Sequence, residues 1–395
     1  MTQPEPSPAR LAAMLPATSF ALRGYNVVNL GRTPELLADR RYGPVVESYL
    51  RRASAICGEV TQKRVDLVDR VRRQEETDLS VYAEAVALIV AVELAQLEIL
   101  STQYGIELSR AGMFMGYSLG ELAAASACGM MEMEEVLRIP LELSDDCVAL
   151  AHDATLGVLF CRNCELPLDA VRRLCLHLNA EGRGVVGIST YLSPNSVLLI
   201  GQGDTLDRFR ARMRETLPAE VALRKNEHRW PPLHTPIVWE KHIPNRAAVG
   251  MHTLQGGFTA PQPPIFSLVT GQMSYNDFNA RELFCRWTDH PQRLWDGIYA
   301  TLSTGIELVV HVGPEPNLLP ATFKRLSDNV EIQRRASLGL RAVSGLVTRP
   351  WLARLLPART ALLRAPLVKH LILEDWLLAQ PDSAASATGA TLPNA

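Results

Sequence analysis

The chain has 395 residues, 47% of them hydrophobic and 21% charged, with a formal net charge of −2. That length buries a sizeable core and suggests two or three domains of a soluble globular protein. The near-neutral balance leaves no domain-wide excess of Lys and Arg to neutralise phosphates, which excludes a nucleic-acid partner.

Residues 1–10 are polar and Pro-rich, and the apolar stretch behind them is too short for a secretory signal. Residues 1–19 are expected to form a flexible N-terminus. Alternation over 20–29 predicts a first strand, and 34–57 a helix. A long helix follows over 80–104, with Val86, Leu88, Ile89, Val92 and Leu94 on more than one face, the pattern of a buried core helix. Its apolar stretch is interrupted by Glu84, Glu93, Gln96 and Glu98, which argues against a membrane span. A short apolar run over 111–115 then drives into Gly116-Tyr117-Ser118-Leu119-Gly120 and an Ala-rich helix over 121–127.

From 155 to 225 the pattern is strand (156–161), helix (167–178), strand (184–191), strand (196–200), helix (205–217), strand (220–224). That order is βαββαβ, a ferredoxin-like unit inserted into a larger α/β domain made of 20–154 and 226–328. The larger domain resumes with a strand at 264–270, helices at 279–287 and 293–303, a strand at 307–312, then Gly313-Pro314 and a helix to 326. Residues 331–370 carry eight Lys or Arg against the single acid Glu331, so 329–380 is expected to be a basic helical extension. The Ala-, Ser- and Thr-rich stretch 381–395 reads as a disordered tail. Cys161 and Cys164 form a CxxC without two further ligands at zinc spacing, and so read as strand-end thiols. Seven cysteines, an odd number in a long chain, suit reduced thiols in a cytoplasmic protein.

In the Gly-x-Ser-x-Gly string, strand, sharp turn and helix follow one another as a nucleophile elbow requires. The glycines are needed where a Cβ would clash, and Ser118 is held out of the sheet edge. The helix behind it presents N–H groups and a positive dipole end, with the Leu119 N–H as the first oxyanion donor.

The longer string from Gly116 to Ala124 resembles the G-H-S-x-G-E of the malonyl-CoA:acyl-carrier-protein acyltransferase family, which includes polyketide synthase acyltransferase domains and related trans-acting acyl hydrolases. Pro232-Leu233-His234-Thr235-Pro236 is similar to its catalytic-histidine segment, and Ser267-Leu268-Val269-Thr270-Gly271 to its S-x-V-T-G strand. Val312-Gly313-Pro314 with Leu318 and Lys324-Arg325 resembles its closing segment. The resemblance covers about 20–326. It implies an α/β-hydrolase-like large domain with a parallel sheet core beside the ferredoxin-like insert. It also implies an acyltransferase of fatty acid or polyketide biosynthesis, in which Ser118 is acylated by an acyl-CoA and passes the group to the phosphopantetheine thiol of an acyl carrier protein. No cofactor of its own is implied. His234 acts as base and then acid, its imidazole oriented by a backbone carbonyl at the position of Trp287. His228 and His242 are rival histidines nearby, whereas His290 and His311 fall where the family needs no base.

Three departures from the family bear on mechanism. The loop P-G-Q-G-S-Q appears as Arg23-Gly24-Tyr25-Asn26-Val27-Val28, so the second oxyanion N–H falls to Tyr25. Tyr117 replaces the histidine before the nucleophile and, with Leu233 and Trp287, is expected at the acyl pocket. The family arginine that grips a malonyl carboxylate falls on Leu143. Arg138 cannot stand in for it, since five residues on a helix turn through about 500°. A carboxylate beside Leu143 would be buried unpaired, so the expected donor is an uncharged acyl group in preference to malonyl. A thioester hydrolase of the same fold and a non-catalytic docking protein are the alternatives. The extension is expected either to pack on the core or to dock an acidic carrier protein, a synthase partner or a membrane surface.

Overall fold

The computed structural model describes residues 5–162, 164–337, 352, 355–356 and 359–381. Its strands are β1 (Thr18–Leu22), β2 (Met113–Gly116), β3 (Ala154–Cys161), β4 (Val186–Ser193), β5 (Ser196–Gln202), β6 (Val221–Arg229), β7 (Ile265–Phe266), β8 (Leu308–Val312) and β9 (Lys369–Ile372). They form two sheets. One has the order β7-β2-β1-β8-β9, every neighbouring pair parallel, and the other the order β4-β5-β3-β6, every pair antiparallel. The second sheet, with helices Leu168–Asn179 and Thr205–Thr216 on one face, is the expected ferredoxin-like unit.

The parallel sheet is covered on both faces, as such sheets must be when their strands are apolar throughout. Phe20, Leu22, Phe114, Val310 and Val312 point into one core, with the helices Gly43–Thr61, Tyr82–Tyr104 and Leu119–Ala127. Ala21, Met113, Met115 and Val309 point into the other, with Leu294–Ser303 and Leu318–Ser337. The segment Leu79–Tyr104 is long and apolar enough to cross a membrane, but 83% of its apolar window is buried inside the protein. It is the central helix of the core.

Local chemistry moved several boundaries. The first strand stops at Leu22 and gives way to an irregular loop, so the alternation read over 20–29 belongs to a strand only in its first residues. The helix expected over 34–57 is two helices, Thr33–Ala38 and Gly43–Thr61, the second restarting on Pro44, whose fixed φ suits a first turn. The N-terminus expected to be flexible forms the helix Pro8–Met14, capped by the Ser7 hydroxyl, with Leu11 fully buried. Cys161 and Cys164, expected as free thiols, are joined by a disulfide.

The extension expected to be helical is helical over Thr360–Leu367 and Leu373–Ala379, but it also supplies a strand that was not expected. Lys369–Ile372 pairs with β8 as the fifth strand, and the helix Leu373–Ala379 buries Trp376, whose indole donates to the Pro6 carbonyl at 2.8 Å. A four-residue strand after Pro366 is too short for its alternation to register, and only its neighbour β8 makes it a strand. Much of the basic stretch lies outside the described residues, as does 382–395.

Candidate active site

The register of the parallel sheet builds the site. Leu22 lies opposite Gly116 on one side and Val312 on the other. The loops leaving β1, β2 and β8 therefore emerge together at the carboxyl edge of the sheet, where open α/β sheets bind ligands.

The turn after β2 is a strained elbow. Ser118 has φ 53° and ψ −115°, outside the regions that side chains ordinarily occupy, a cost on the order of 1–3 kcal/mol that the surroundings must hold. Two glycines permit it. A Cβ on Gly116 would lie 2.0 Å from the Gly120 carbonyl carbon, and one on Gly120 would lie 2.5 Å from the Arg23 carbonyl oxygen. Glu121, fully buried one turn into the helix, accepts from Leu268 N–H at 3.0 Å and Tyr275 O–H at 2.8 Å, which ties the elbow helix to the turn after β7.

Ser118 Oγ lies 2.7 Å from His234 Nε2, and His234 Nδ1 lies 2.7 Å from the Trp287 carbonyl oxygen. A carbonyl can only accept, so Nδ1 carries the proton and the bare Nε2 accepts the serine hydroxyl. That is the tautomer a general base needs. Burial pushes His234 down to about 4, against the opposing pulls of the Trp287 carbonyl and Asp289. The imidazole is therefore neutral at neutral pH. His234 sits at φ 65° with its N–H bonded to the Thr288 carbonyl at 2.8 Å, so backbone on both sides sets the ring's position. The rivals His228 and His242 are exposed. His290 bonds Asp289, and His311 pairs with His370.

Further contacts around the pair were not legible in the sequence. The Trp287 indole donates to the Ser118 carbonyl at 2.8 Å, so one residue holds the nucleophile and orients its base. Gln292 is fully buried, and its Oε1 accepts from the Ser118 N–H at 3.0 Å. Its Nε2 faces His234 Nδ1 at 3.3 Å, donor against donor, so the Trp287 carbonyl keeps the imidazole proton. The Gln292 main chain pairs with β4 through Ser189 and Tyr191, and the Tyr117 hydroxyl bonds Thr190 at 2.8 Å, so both join the small subdomain to the catalytic edge. A glutamine after a proline reads as a turn residue, and no local pattern marks it.

A cavity of about 420 Å³ opens at Ser118 and His234, lined by Tyr117, Leu233, Tyr82 and Trp230, by Leu156, Val158, Leu198 and Ile200 of the small sheet, and by Arg23 to Asn26. Tyr117 and Leu233, expected at the acyl pocket, are both in the lining of this cavity. Trp287 acts beside the cavity through its carbonyl and indole instead of lining it. Leu143 is elsewhere. It closes the helix Met133–Glu142, is packed in the hydrophobic core at 3% exposure, and is not among the residues lining the cavity.

No protein-family model matches the chain. It is 25% identical over 213 residues, 51% of its length, to the PKS-NRPS hybrid synthetase acdB of Aspergillus candidus, and the match spans only 8% of that protein. Solved structures share the fold. The malonyl-CoA:acyl carrier protein transacylase (FabD) of Xanthomonas oryzae pv. oryzae superposes with a TM-score of 0.62 at 20% identity, over 78% of this chain and 91% of that one. The acyltransferase domain from module 8 of the salinomycin polyketide synthase gives 0.62 at 20%, over 92% and 78%. The malonyl-transacylase in a complex with the type II polyketide synthase acyl-carrier protein AntF gives 0.58 at 19%, over 77% and 91%.

These findings overturn the expected preference for an uncharged acyl group over malonyl. Several structures that share this fold are malonyl transferases or transacylases. The residue on which the expectation rested lies in the core and not in the wall of the cavity, so its apolar side chain is no measure of what the cavity accepts.

Proposed function

We propose that the chain is an acyltransferase of the malonyl-CoA:acyl carrier protein type, moving a malonyl group from coenzyme A through Ser118 to a carrier-protein thiol. The observation that carries this reading is the relay from Ser118 Oγ through the His234 ring to the Trp287 carbonyl, set at the mouth of a cavity on the carboxyl edge of the sheet.

As Ser118 Oγ attacks the thioester carbonyl, His234 Nε2 takes its proton, and the negative charge passes to the carbonyl oxygen. The Leu119 N–H at the start of the elbow helix and the Tyr25 N–H in the loop after β1 are the donors for that oxyanion. Collapse breaks the C–S bond, and His234 returns the proton to the departing coenzyme A thiolate. The carrier thiol then gives its proton to His234 and attacks the ester. The second collapse frees the serine, which takes that proton back.

The test is incubation of the protein with malonyl-CoA, read by intact mass, followed by addition of a phosphopantetheinylated acyl carrier protein. A malonyl-enzyme forms, is absent in Ser118→Ala, and is discharged to the carrier. No acyl-enzyme at any carrier concentration would sink the reading, and discharge as free malonate with no acylated carrier would convert it to a hydrolase.

A further inference from the structure

The loop after β1 lacks the proline and one of the two glycines of the family string it resembles, so something else must shape it. We propose that Arg23 is the positioning residue for this loop, its guanidinium holding the Tyr25 N–H where the acyl oxyanion forms. This rests on the acyl-transfer reading of Ser118.

Arg23 is 5% exposed, and its side chain spends its donors on neutral oxygens around the loop. Nε donates to the Gly24 carbonyl at 2.8 Å, and Nη2 to the Val28 carbonyl at 3.2 Å and Asn29 Oδ1 at 2.7 Å. Nη1 donates to the Pro314 carbonyl in the turn after β8. Gly24 and Val28 bracket Tyr25, so the planar fork clamps the loop on both sides of that amide. The Arg23 N–H is itself held by Glu93 Oε1 of the central helix at 2.7 Å. On its other side the loop is pressed to the elbow, since a Cβ on Gly24 would lie 2.6 Å from the Tyr117 carbonyl oxygen and 3.2 Å from Ser118 Cβ.

A buried charge is tolerated only when its hydrogen bonds are fully used, and a rigid fork with five donors suits several fixed carbonyls as a compact ammonium does not. The brace continues into the C-terminal segment. Glu374 accepts from the Glu315 N–H at 2.8 Å, next to Pro314, and from the Arg32 N–H at 2.9 Å, where the loop from β1 ends. Residues beyond the family resemblance thus hold both ends of the turn system that Arg23 bridges.

The test uses the full chain and a fluorophosphonate probe, in which Ser118 Oγ displaces fluoride from phosphorus and its proton leaves through His234. In Arg23→Lys the maximal rate is expected to fall about 10- to 100-fold, the scale of an oxyanion donor misplaced by about an ångström. The half-saturating probe concentration stays within about twofold, and the acid limb set by His234 does not move. Added guanidinium is expected to restore much of the rate of Arg23→Ala, which loss of fold would not allow. A wild-type rate in folded Arg23→Lys, or a loss carried wholly by the half-saturating concentration, overturns the proposal. If either Arg23 variant fails to fold, Glu374→Gln is read instead. It replaces one acceptor by a donor on the same brace, and a wild-type rate there also overturns it. The probe reads the serine, its base and the oxyanion donors without a malonyl group, so failure of the wild type to take malonyl counts against the proposed substrate and leaves this test standing.

Discussion

Trp287 grips Ser118 from behind: its indole Nε1 donates to the Ser118 carbonyl oxygen at 2.8 Å, while its own carbonyl accepts the proton of His234 Nδ1 at 2.7 Å. Nucleophile and base are thus referred to one residue at the end of the helix Ala280–Trp287. The two bonds separate on mutation, because one belongs to the side chain and the other to the main chain. Trp287→Phe keeps the carbonyl and the ring packing and removes the indole donor. A buried hydrogen bond nets about 0.5–1.5 kcal/mol, so acylation of Ser118 is expected to slow roughly 3- to 10-fold with the acid limb unchanged. Rapid-quench measurement of acyl-enzyme formation checks it. An unaltered rate would mean that the indole does nothing for the elbow.

Burial holds His234 near 4, where an exposed histidine titrates at 6.5. The base therefore stays neutral through the physiological range, and the acid limb of kcat/KM is expected near 4. The unfolded chain protonates this histidine at the higher pH, so the stability it confers is fully present above about 6.5 and is lost as pH falls through the folded value. A pH–rate profile with the fluorophosphonate probe, paired with thermal unfolding over the same range, tests both statements. A limb at 6.5 would show that water reaches the imidazole.

Gln292 faces the ring from the side opposite the serine hydroxyl, with Nε2 3.3 Å from Nδ1. In Gln292→Glu a carboxylate at that distance favours the protonated ring, so the acid limb is expected to rise by about 1–2 units and kcat at pH 5 to fall. Gln292→Leu removes the acceptor of the Ser118 N–H and is expected to cost about 1–3 kcal/mol of stability, seen in denaturant unfolding. An unmoved limb in the first variant would place the amide away from the base in solution.

The chain from residue to chemistry was partly visible in order alone. The elbow at Ser118 was legible because sterics at Gly116 and Gly120 and the strand-turn-helix pattern are local, and the ferredoxin-like insert because each of its elements carries its own period. The Trp287 carbonyl was reachable through the family resemblance, since a main-chain acceptor survives a change of side chain. The substrate expectation failed because helix register states which residue occupies a position in sequence but not whether that position faces the cavity. Leu143 closes its helix and lies in the core.

What the sequence by itself determined is the elbow at Ser118 and the order of most elements, set by short-range pattern and steric necessity, while His234 was singled out by the family resemblance. Only the tertiary structure decided that Gln292 and the Trp287 indole reach Ser118, that Arg23 braces the loop of Tyr25, and that Lys369–Ile372 completes the parallel sheet. Each of these joins residues distant in the chain, and a hydrogen bond or a strand pairing across such a span exists only once folding has brought its two halves together.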